Sequence, residues 1–317
     1  MSGPLLLTGA SGWFGRTALW EYEQEHGPEA LRRDVIPFAS CERWVHFDSP
    51  HGPVKALPLE AITEVQDPRG LLHMAFLTRD KLDELGWQRY VASNRAITAC
   101  IAAVLKAWPS MPVVTTSSGA AAALDGTAPD LNGNPYATLK QEEEELLKNE
   151  SSTRMAMVLR VYAVTGRFMT RPEKFALGDF LNQAIEKRPI RVKNHGLVQR
   201  SYVHAGTMLR LCWHQLLLER SVGLRVIDAC LEDWDIRNLA DFIAKSFSQP
   251  CVLPAPCHAA NPADVYTGHS SQFLQLLKLA GIAAPSWEQQ CVETALGLEA
   301  AKNRAGLQPE PTEGLQR

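Results

Sequence analysis

The sequence predicts an α/β protein: a Rossmann-type, doubly wound parallel sheet with a smaller C-terminal substrate-binding lobe. Three observations point there. Short apolar runs bounded by turn-forming residues recur along the chain, as expected of strands buried on both faces. Stretches with helical periodicity lie between them, and such alternation favours a parallel sheet covered by helices. The first apolar run, Leu5-Leu6-Leu7, passes directly into glycine-rich sequence and then into a helical stretch, which is how a βαβ unit opens.

Taken in order, Leu5-Leu6-Leu7 predicts the first strand and 13–22 the first helix. Val35-Ile36-Pro37-Phe38, Leu71-Leu72-His73-Met74-Ala75, Val113-Val114-Thr115-Thr116 and Met157-Val158-Leu159 predict further buried strands. A helix is expected over 93–108, where Ile97, Ile101, Val104, Leu105 and Trp108 recur at intervals of three and four. Another is expected over 136–149. Beyond Gly166 the rhythm loosens. A loop is expected over 169–174, a helix over 180–186, and short strands at Ile190-Arg191-Val192 and Leu224-Arg225-Val226-Ile227. An amphipathic helix over 236–247, a stretch bearing Pro250, Pro254, Pro256 and Pro262, and a helix over 271–280 complete the chain. The expected organisation is a nucleotide-binding domain over 1–165, with 203–237 returning to it. A substrate-binding lobe takes 166–202 and 238–302, and 303–317 is read as a flexible tail.

Composition bounds the function classes. A chain of 317 residues that is 45% hydrophobic has ample material for a core, so disorder is excluded. With 32 Lys+Arg against 35 Asp+Glu, bulk charge gives no reason to bind nucleic acid or an anionic membrane. No apolar run approaches the roughly 18 residues of a membrane span. The opening MSGPLLLTGASGWFG has neither the basic region nor the apolar length of a secretion signal. Seven cysteines form no C-x-x-C pair. Cys251 and Cys257, followed by His258, come nearest to ligand spacing, but unpaired thiols in a reducing compartment are the expectation, with no metal and a cytoplasmic location.

The first chemical motif is Gly9-Ala10-Ser11-Gly12-Trp13-Phe14-Gly15, a G-x-x-G-x-x-G between strand and helix. Such glycines permit a tight turn, close approach of backbone N–H groups to a pyrophosphate and close helix–strand packing, and the helix N-terminus adds its positive dipole end. Gly9, Ser11, Gly12, Trp13, Phe14 and Gly15 are therefore candidate dinucleotide contacts. After the second strand come Ser40 and Arg43, a hydroxyl and a guanidinium suited to a 2′-phosphate. Asp34 precedes that strand and is poorly placed for a ribose. NADP(H) is favoured, with NAD(H) the alternative.

The second motif is Tyr136-Ala137-Thr138-Leu139-Lys140, a Y-x-x-x-K on a predicted helix. Spacing i, i+4 puts phenol and ammonium on one face, where an adjacent cation favours the phenolate and fits Tyr136 for acid–base work. The following run Glu142–Glu145 reads as a solvated face. The third motif, Thr115-Thr116-Ser117-Ser118-Gly119, stands at the end of a predicted parallel strand, where hydroxyls face the ligand crevice.

In this order the three motifs resemble the extended short-chain dehydrogenase/reductase superfamily. The nearest branch is the NAD-dependent epimerase/dehydratase family acting on nucleotide-linked sugars, and the resemblance extends to about residue 300. His73-Met74-Ala75 is similar to the H-x-A closing the family's fourth strand beside the cofactor. Residues 90–98, YVASNRAIT, resemble the segment carrying a characteristic Asn, here Asn94. Residues 159–166 resemble the strand leading into the lobe, and 199–204 resemble R-D-F-V-H-V, whose Arg, here Arg200, contacts nucleotide phosphates. The resemblance implies that Ser118, Tyr136 and Lys140 form the catalytic set. Tyr136 would be the acid/base, and Lys140 would bind the nicotinamide ribose and depress the Tyr136 pKa. It further implies that Met74, Ala75, Phe76, Asn94 and Tyr162 line the cofactor, that Thr78, Ser118, Tyr136 and Arg200 contact substrate, and that helices 93–108 and 136–149 build a homodimer.

Departures from the pattern narrow the expected reaction. Family dehydratases carry Asp-Glu after the catalytic hydroxyl, where this chain has Gly119-Ala120, so dehydration is not expected. The family's Tyr-Gly a few residues on is replaced within Ala120–Ala123. The Asn after the sixth strand is Ala163, and the acidic residues after the phosphate-binding Arg are Ser201 and Ala205-Gly206. A ketoreductase or epimerase of nucleotide-linked sugars is the leading expectation. A reductase of a non-nucleotide hydroxyl or ketone is the alternative, followed by a non-catalytic NADP(H) sensor or scaffold.

Overall fold

A computed structural model of the chain describes residues 3–194, 196–219, 221–254 and 263–306. The chain runs β1 (Leu5–Thr8), α1 (Trp13–His26), α2 (Pro28–Asp34), β2 (Val35–Ala39), β3 (Arg43–Val45), β4 (Val54–Pro58), β5 (Gly70–His73), α3 (Lys81–Leu85), α4 (Trp87–Ala107), β6 (Val113–Ser118), α5 (Gly119–Ala122), α6 (Pro135–Glu150) and β7 (Met155–Val161). It continues with β8 (Ala163–Thr165), α7 (Ala176–Ile185), β9 (Ile190–Arg191), β10 (Val198–His204), α8 (Ala205–Leu218), β11 (Gly223–Ala229), β12 (Glu232–Asp235), α9 (Ile236–Ser246), β13 (Cys251–Val252), β14 (Asp264–Tyr266), α10 (Ser271–Leu279) and α11 (Trp287–Gly306).

Eight strands form one sheet in the order β11-β7-β6-β5-β1-β2-β4-β3, parallel except for the β3–β4 hairpin at one edge. The strand order reverses at β1, whose neighbours are β2 and β5, so a crevice opens there at the C-terminal strand ends. The central strands are buried throughout. That is why they read as unbroken apolar runs rather than alternating ones. Leu6, Leu71, Val113 and Val158 of the sheet pack with Ile101, Val104 and Leu105 of α4 in one cluster. The fully buried Arg154 closes the ends of α4 and α6, donating to Leu105 O at 2.8 Å, Trp108 O at 3.0 Å and Glu150 O at 2.7 Å. A second sheet has the order β12-β10-β14 with β8 on β10, and β9 pairs with β13.

The chain divides into two compact units. The first takes the chain to Val164, with Arg200–Asp233 and Tyr266–Ala284. The second takes Thr165–Gln199, Trp234–Val265 and the chain from Pro285. Within the second unit Trp234 stacks on Trp287 with centroids 5.0 Å apart, and Thr165 Oγ1 donates to Gln290 Oε1 at 2.8 Å. Gly297 of α11 lies so close to Arg167 that a Cβ there would meet the Arg167 carbonyl oxygen at 1.8 Å.

Several boundaries differ from the sequence reading. The helix expected from 93 begins at Trp87, because Gly86 turns the chain with φ +74° and Tyr90 and Val91 already bury the first turns. The helix expected over 180–186 is Ala176–Ile185, and the 169–174 loop ends in a single 3₁₀ turn, Pro172–Lys174. α11 carries on to Gly306, into the stretch read as a tail from 303. Pro256, Cys257, His258 and Pro262 lie outside the described residues.

Candidate active site

The crevice is built at the C-terminal ends of four parallel strands. Thr8 pairs with His73 and His73 with Thr115, while β6 and β7 run three residues further, where Ser118 pairs with Val161. Directly after β1 the glycine loop turns into α1. Gly9 has φ +68°, and a Cβ there would meet Met74 C and O at 2.6 Å. A Cβ on Gly15 would fall 2.1 Å from Gly9 O and 2.5 Å from Ala10 Cα, so α1 can lie on the loop only without a side chain at that point. Gly12, at the N-cap, meets nothing nearer than Gly9 O at 3.3 Å. The 14-residue α1 has no side-chain cap and no acidic residue in its first turn. An open cradle under uncapped N–H groups fits a pyrophosphate. Past β2, the exposed Arg43 guanidinium donates to Cys41 Sγ at 2.9 Å and Ser40 Oγ at 3.5 Å, so Ser40 and Arg43 stand together. Asp34 is occupied elsewhere, by Arg33 and the Tyr22 hydroxyl.

Below this cradle runs a buried hydrogen-bond chain. Thr8 Oγ1 accepts the N–H groups of Met74 at 3.1 Å and Ala75 at 3.2 Å, which uses both lone pairs. Its proton therefore goes to His73 Nδ1, 2.7 Å away. That leaves the proton of a neutral His73 on Nε2, which donates to Glu143 Oε1 at 3.1 Å. Glu143 Oε2 receives the Lys140 ammonium at 2.8 Å; Lys140 also donates to Thr116 O at 3.0 Å and lies 3.7 Å from the Phe76 ring centroid. The Phe76 ring meets Tyr136 edge to face, with centroids 5.8 Å apart.

Asn134 caps α6 by accepting Ala137 N–H at 3.2 Å, and Pro135 fits the first helical position, so Tyr136 sits in the first turn and Lys140 one turn on. Ser118 ends β6 and caps α5, accepting Ala120 N–H at 3.2 Å. Its hydroxyl bonds Tyr266 Oη at 2.9 Å and stands beside the Tyr136 phenol. Burial pushes the Tyr136 phenol above its ordinary 10.0. The Ser118 hydroxyl pulls it down, and the Glu143 charge pushes it further up. The Lys140 ammonium, expected to favour the phenolate, is itself paired with Glu143. Burial likewise pushes the Tyr266 phenol up. For Glu143 burial works upward too, but Lys140 and His73 outweigh it and hold its carboxyl below the usual range.

The remaining sequence-predicted residues divide. Met74 and Ala75 form the turn held by Thr8. Asn94, fully buried, spends its amide on the backbone of Leu77, accepting its N–H at 2.8 Å and donating to its carbonyl at 3.3 Å, so it clasps the strand-end loop. Thr78 donates to Asp80. Tyr162 is hydrogen-bonded to Asp228 and packs on Tyr266 with centroids 4.9 Å apart. Arg200 faces Tyr266. Among the described residues no group of three or more His, Cys, Asp and Glu could hold a metal ion. Sequence reasoning missed Thr8, Tyr266 and Glu143. The Glu142–Glu145 run is not one solvated face: Glu143 and Glu144 are buried, Glu144 on Arg160 at 2.7 Å, while Glu142 and Glu145 pair at the surface with Arg95 and Lys148. The signal was present, since Glu143 follows Lys140 by three and Tyr136 by seven residues and so shares their face.

Fold and glycine loop together define a Rossmann-type α/β protein. The chain belongs to the NAD-dependent epimerase/dehydratase family, whose model matches residues 5–225. A search of curated protein sequences returns no match. The structure is similar to MoeE5 in complex with UDP-glucose and NAD, at 17% identity and a TM-score of 0.72, covering 95% of this chain and 100% of that one. It is also similar to the UDP-N-acetylglucosamine 4-epimerase of Methanobrevibacter ruminantium in complex with UDP-N-acetylmuramic acid, at 17% identity and a TM-score of 0.70, covering 95% and 99%. A GDP-L-fucose synthetase of Naegleria fowleri bound to NADP is similar at 14% identity and a TM-score of 0.68, covering 95% and 94%. Among the described residues no helix is long and apolar enough to cross a membrane.

Proposed function

We propose that this protein is an NAD(P)-dependent oxidoreductase moving a hydride to or from a sugar carbon of a nucleotide-linked sugar, as a ketoreductase or an epimerase. The observation that carries this is the meeting of Ser118 and Tyr136 at the C-terminal ends of the parallel strands, one helical turn from Lys140 and at the same edge of the sheet as the glycine cradle. A bound nicotinamide supplies or accepts the hydride. Gly9, Ser11, Gly12, Trp13, Phe14 and Gly15 would hold the pyrophosphate end, and Lys140 and Phe76 the nicotinamide end. Tyr136 exchanges a proton with the substrate oxygen, and Ser118 donates a hydrogen bond to hold that oxygen in place. Ser40 and Arg43 favour NADP(H) over NAD(H). Gly119-Ala120 provides no carboxyl group for dehydration. Thr78 and Arg200 are the further substrate contacts we propose.

A homodimer through α4 and α6 is part of this reading, as is a reducing, cytoplasmic setting. Light scattering showing a monomer at micromolar concentration would count against the dimer. The functional test incubates the protein with NADPH or NADH and a panel of UDP-, dTDP- and GDP-linked keto and hydroxy sugars, reading products by mass spectrometry. Tyr136→Phe is expected to lower turnover by about 10²-fold or more. Turnover surviving that change nearly intact would overturn the assignment of Tyr136 as acid/base, whereas turnover absent across the panel while the cofactor binds would favour the sensor reading.

A further inference from the structure

The glutamate run on α6 divides by helical phase, and its inward member meets the site. Glu143 is 4% exposed and both its oxygens are engaged, one by His73 Nε2–H and one by the Lys140 ammonium. The ammonium also donates to the Thr116 carbonyl at 3.0 Å and lies 3.7 Å from the Phe76 ring centroid. His73 is fixed in turn by Thr8, so the carboxylate is braced on the side away from Lys140. We propose that Glu143 is a positioning residue whose carboxylate takes up the charge of Lys140 and thereby keeps the proton on Tyr136. The proposal rests on the reading of Ser118, Tyr136 and Lys140 as the reaction centre, and it adds a direction. A tyrosine that keeps its proton is set to give it to a carbonyl oxygen, as reduction requires.

The charges around Tyr136 support this. From its own helix it faces Glu143, whose partner Lys140 stands one turn along from Tyr136; from the segment ahead of α3 it faces Arg79 and Asp80, which oppose one another. From α4 it faces Tyr90 and from β14 Tyr266, both uncharged phenols, with Ser118 at the end of β6. Burial and the Glu143 charge both favour the neutral phenol, while Arg79 and Asp80 oppose one another. Removing the Glu143 charge would leave an ammonium one turn away with no counter-ion.

The test is an alkaline titration of tyrosinate by ultraviolet absorbance on the full chain, each protein read against its own Tyr136→Phe counterpart so that the difference isolates Tyr136. Glu143→Gln is expected to lower the Tyr136 midpoint by about one pH unit, roughly tenfold more phenolate at a given pH. Superimposable curves for Glu143→Gln and the unchanged protein would overturn the proposal. Where Glu143→Gln alone does not fold, the pair Lys140→Met with Glu143→Gln removes both charges at similar shape, a change that buried ion pairs tolerate. Its midpoint is expected to match the unchanged protein; an upward shift would show that Lys140 already supports the phenolate, and would overturn the proposal. The titration uses neither substrate nor cofactor. A shifted midpoint in a protein that turns over no nucleotide sugar would therefore sink the functional reading and leave this one standing.

Discussion

The hydroxyl of Tyr266 lies 2.9 Å from Ser118 Oγ, although 148 positions separate the two residues. Ser118 has one proton to donate and two lone pairs, one of them already taken by Ala120 N–H at 3.2 Å. When Tyr136 has given up its proton, the remaining bonds can run in one sense only: Tyr266 donates to Ser118 and Ser118 donates to Tyr136. Tyr266→Phe cuts that relay while keeping the ring on Tyr162. A neutral hydrogen bond at about 1 kcal/mol predicts a fall in kcat of roughly fivefold, with Tm almost unmoved. An unchanged kcat would show that Tyr266 lends the phenolate no support.

Tyr162 is held between two glycines. A Cβ on Gly119 would come within 2.2 Å of its Cε1, and a Cβ on Gly268 within 2.4 Å of its Cε2. Asp228 fixes the hydroxyl, so the ring has little freedom to withdraw. Gly119→Ala is therefore expected to destabilise by about 1–3 kcal/mol, the range for overpacking, seen as a lower midpoint in urea with an unchanged slope. Because the two substitutions press on opposite edges of one ring, each blocks the shift that would relieve the other, and Gly119→Ala with Gly268→Ala should cost more than the sum of the two. Full additivity would mean that the ring is not their shared obstacle.

Features of the site written in local spacing were legible in the sequence. The glycine loop, the Tyr136–Lys140 pair and the apolar strand runs each declare themselves within eight residues, because turn, helix face and buried strand are local consequences of residue type. The edge hairpin β3–β4 and helix α2 were not legible. Each is short, and β3 leaves Trp44 in solvent rather than marking a buried face. Tyr266 had no local signal, since only tertiary folding brings β14 to the end of β6. Glu143 was hidden differently. Four consecutive glutamates look solvated as a block, yet successive helical positions turn about 100°, so a run of four cannot share one face.

Thr8 Oγ1 holds the Met74 and Ala75 N–H groups and His73 Nδ1 together. Replacing the residue with Val keeps the shape but strands the N–H groups of Met74 and Ala75 and the acceptor nitrogen of His73. Unsatisfied buried groups cost about 1–3 kcal/mol each, and partial relaxation brings the expected loss for Thr8→Val to roughly 3 kcal/mol, read by chemical denaturation. Thr8→Ser, which keeps the oxygen, should recover most of it. Equal losses for Ser and Val would place the effect in packing instead.

Glu143 also predicts a dependence of stability on pH. Its carboxyl is held below the usual range in the folded chain, chiefly by Lys140 and His73 against the opposing effect of burial. The unfolded chain binds the proton more readily. The stabilisation is therefore fully present above the unfolded value of about 4.3 and fades as pH falls through the lower folded value. Thermal unfolding followed from pH 6 down to pH 3 should fall less steeply for Lys140→Met with Glu143→Gln than for the unchanged protein. Parallel profiles would deny Glu143 this role.

Arg43 decides the choice of cofactor in the proposed reading. Its guanidinium is exposed at the start of β3 and touches Ser40 Oγ and Cys41 Sγ, neither of which neutralises it. A 2′-phosphate beside Ser40 would gain a charge-assisted hydrogen bond from Arg43, whereas a bare 2′-hydroxyl would gain little. At about 1.5–3 kcal/mol for a hydrogen bond to a charged group, Arg43→Ala should weaken NADPH binding by roughly 10–100-fold and leave NADH binding nearly unchanged. Stability should not move, because an exposed side chain at a sheet edge contributes little to packing. Raising ionic strength should narrow the difference between the two cofactors in the unchanged protein and not in the variant. Fluorescence titration with both nucleotides measures all of this, and equal weakening of both would place Arg43 in general electrostatics rather than in discrimination.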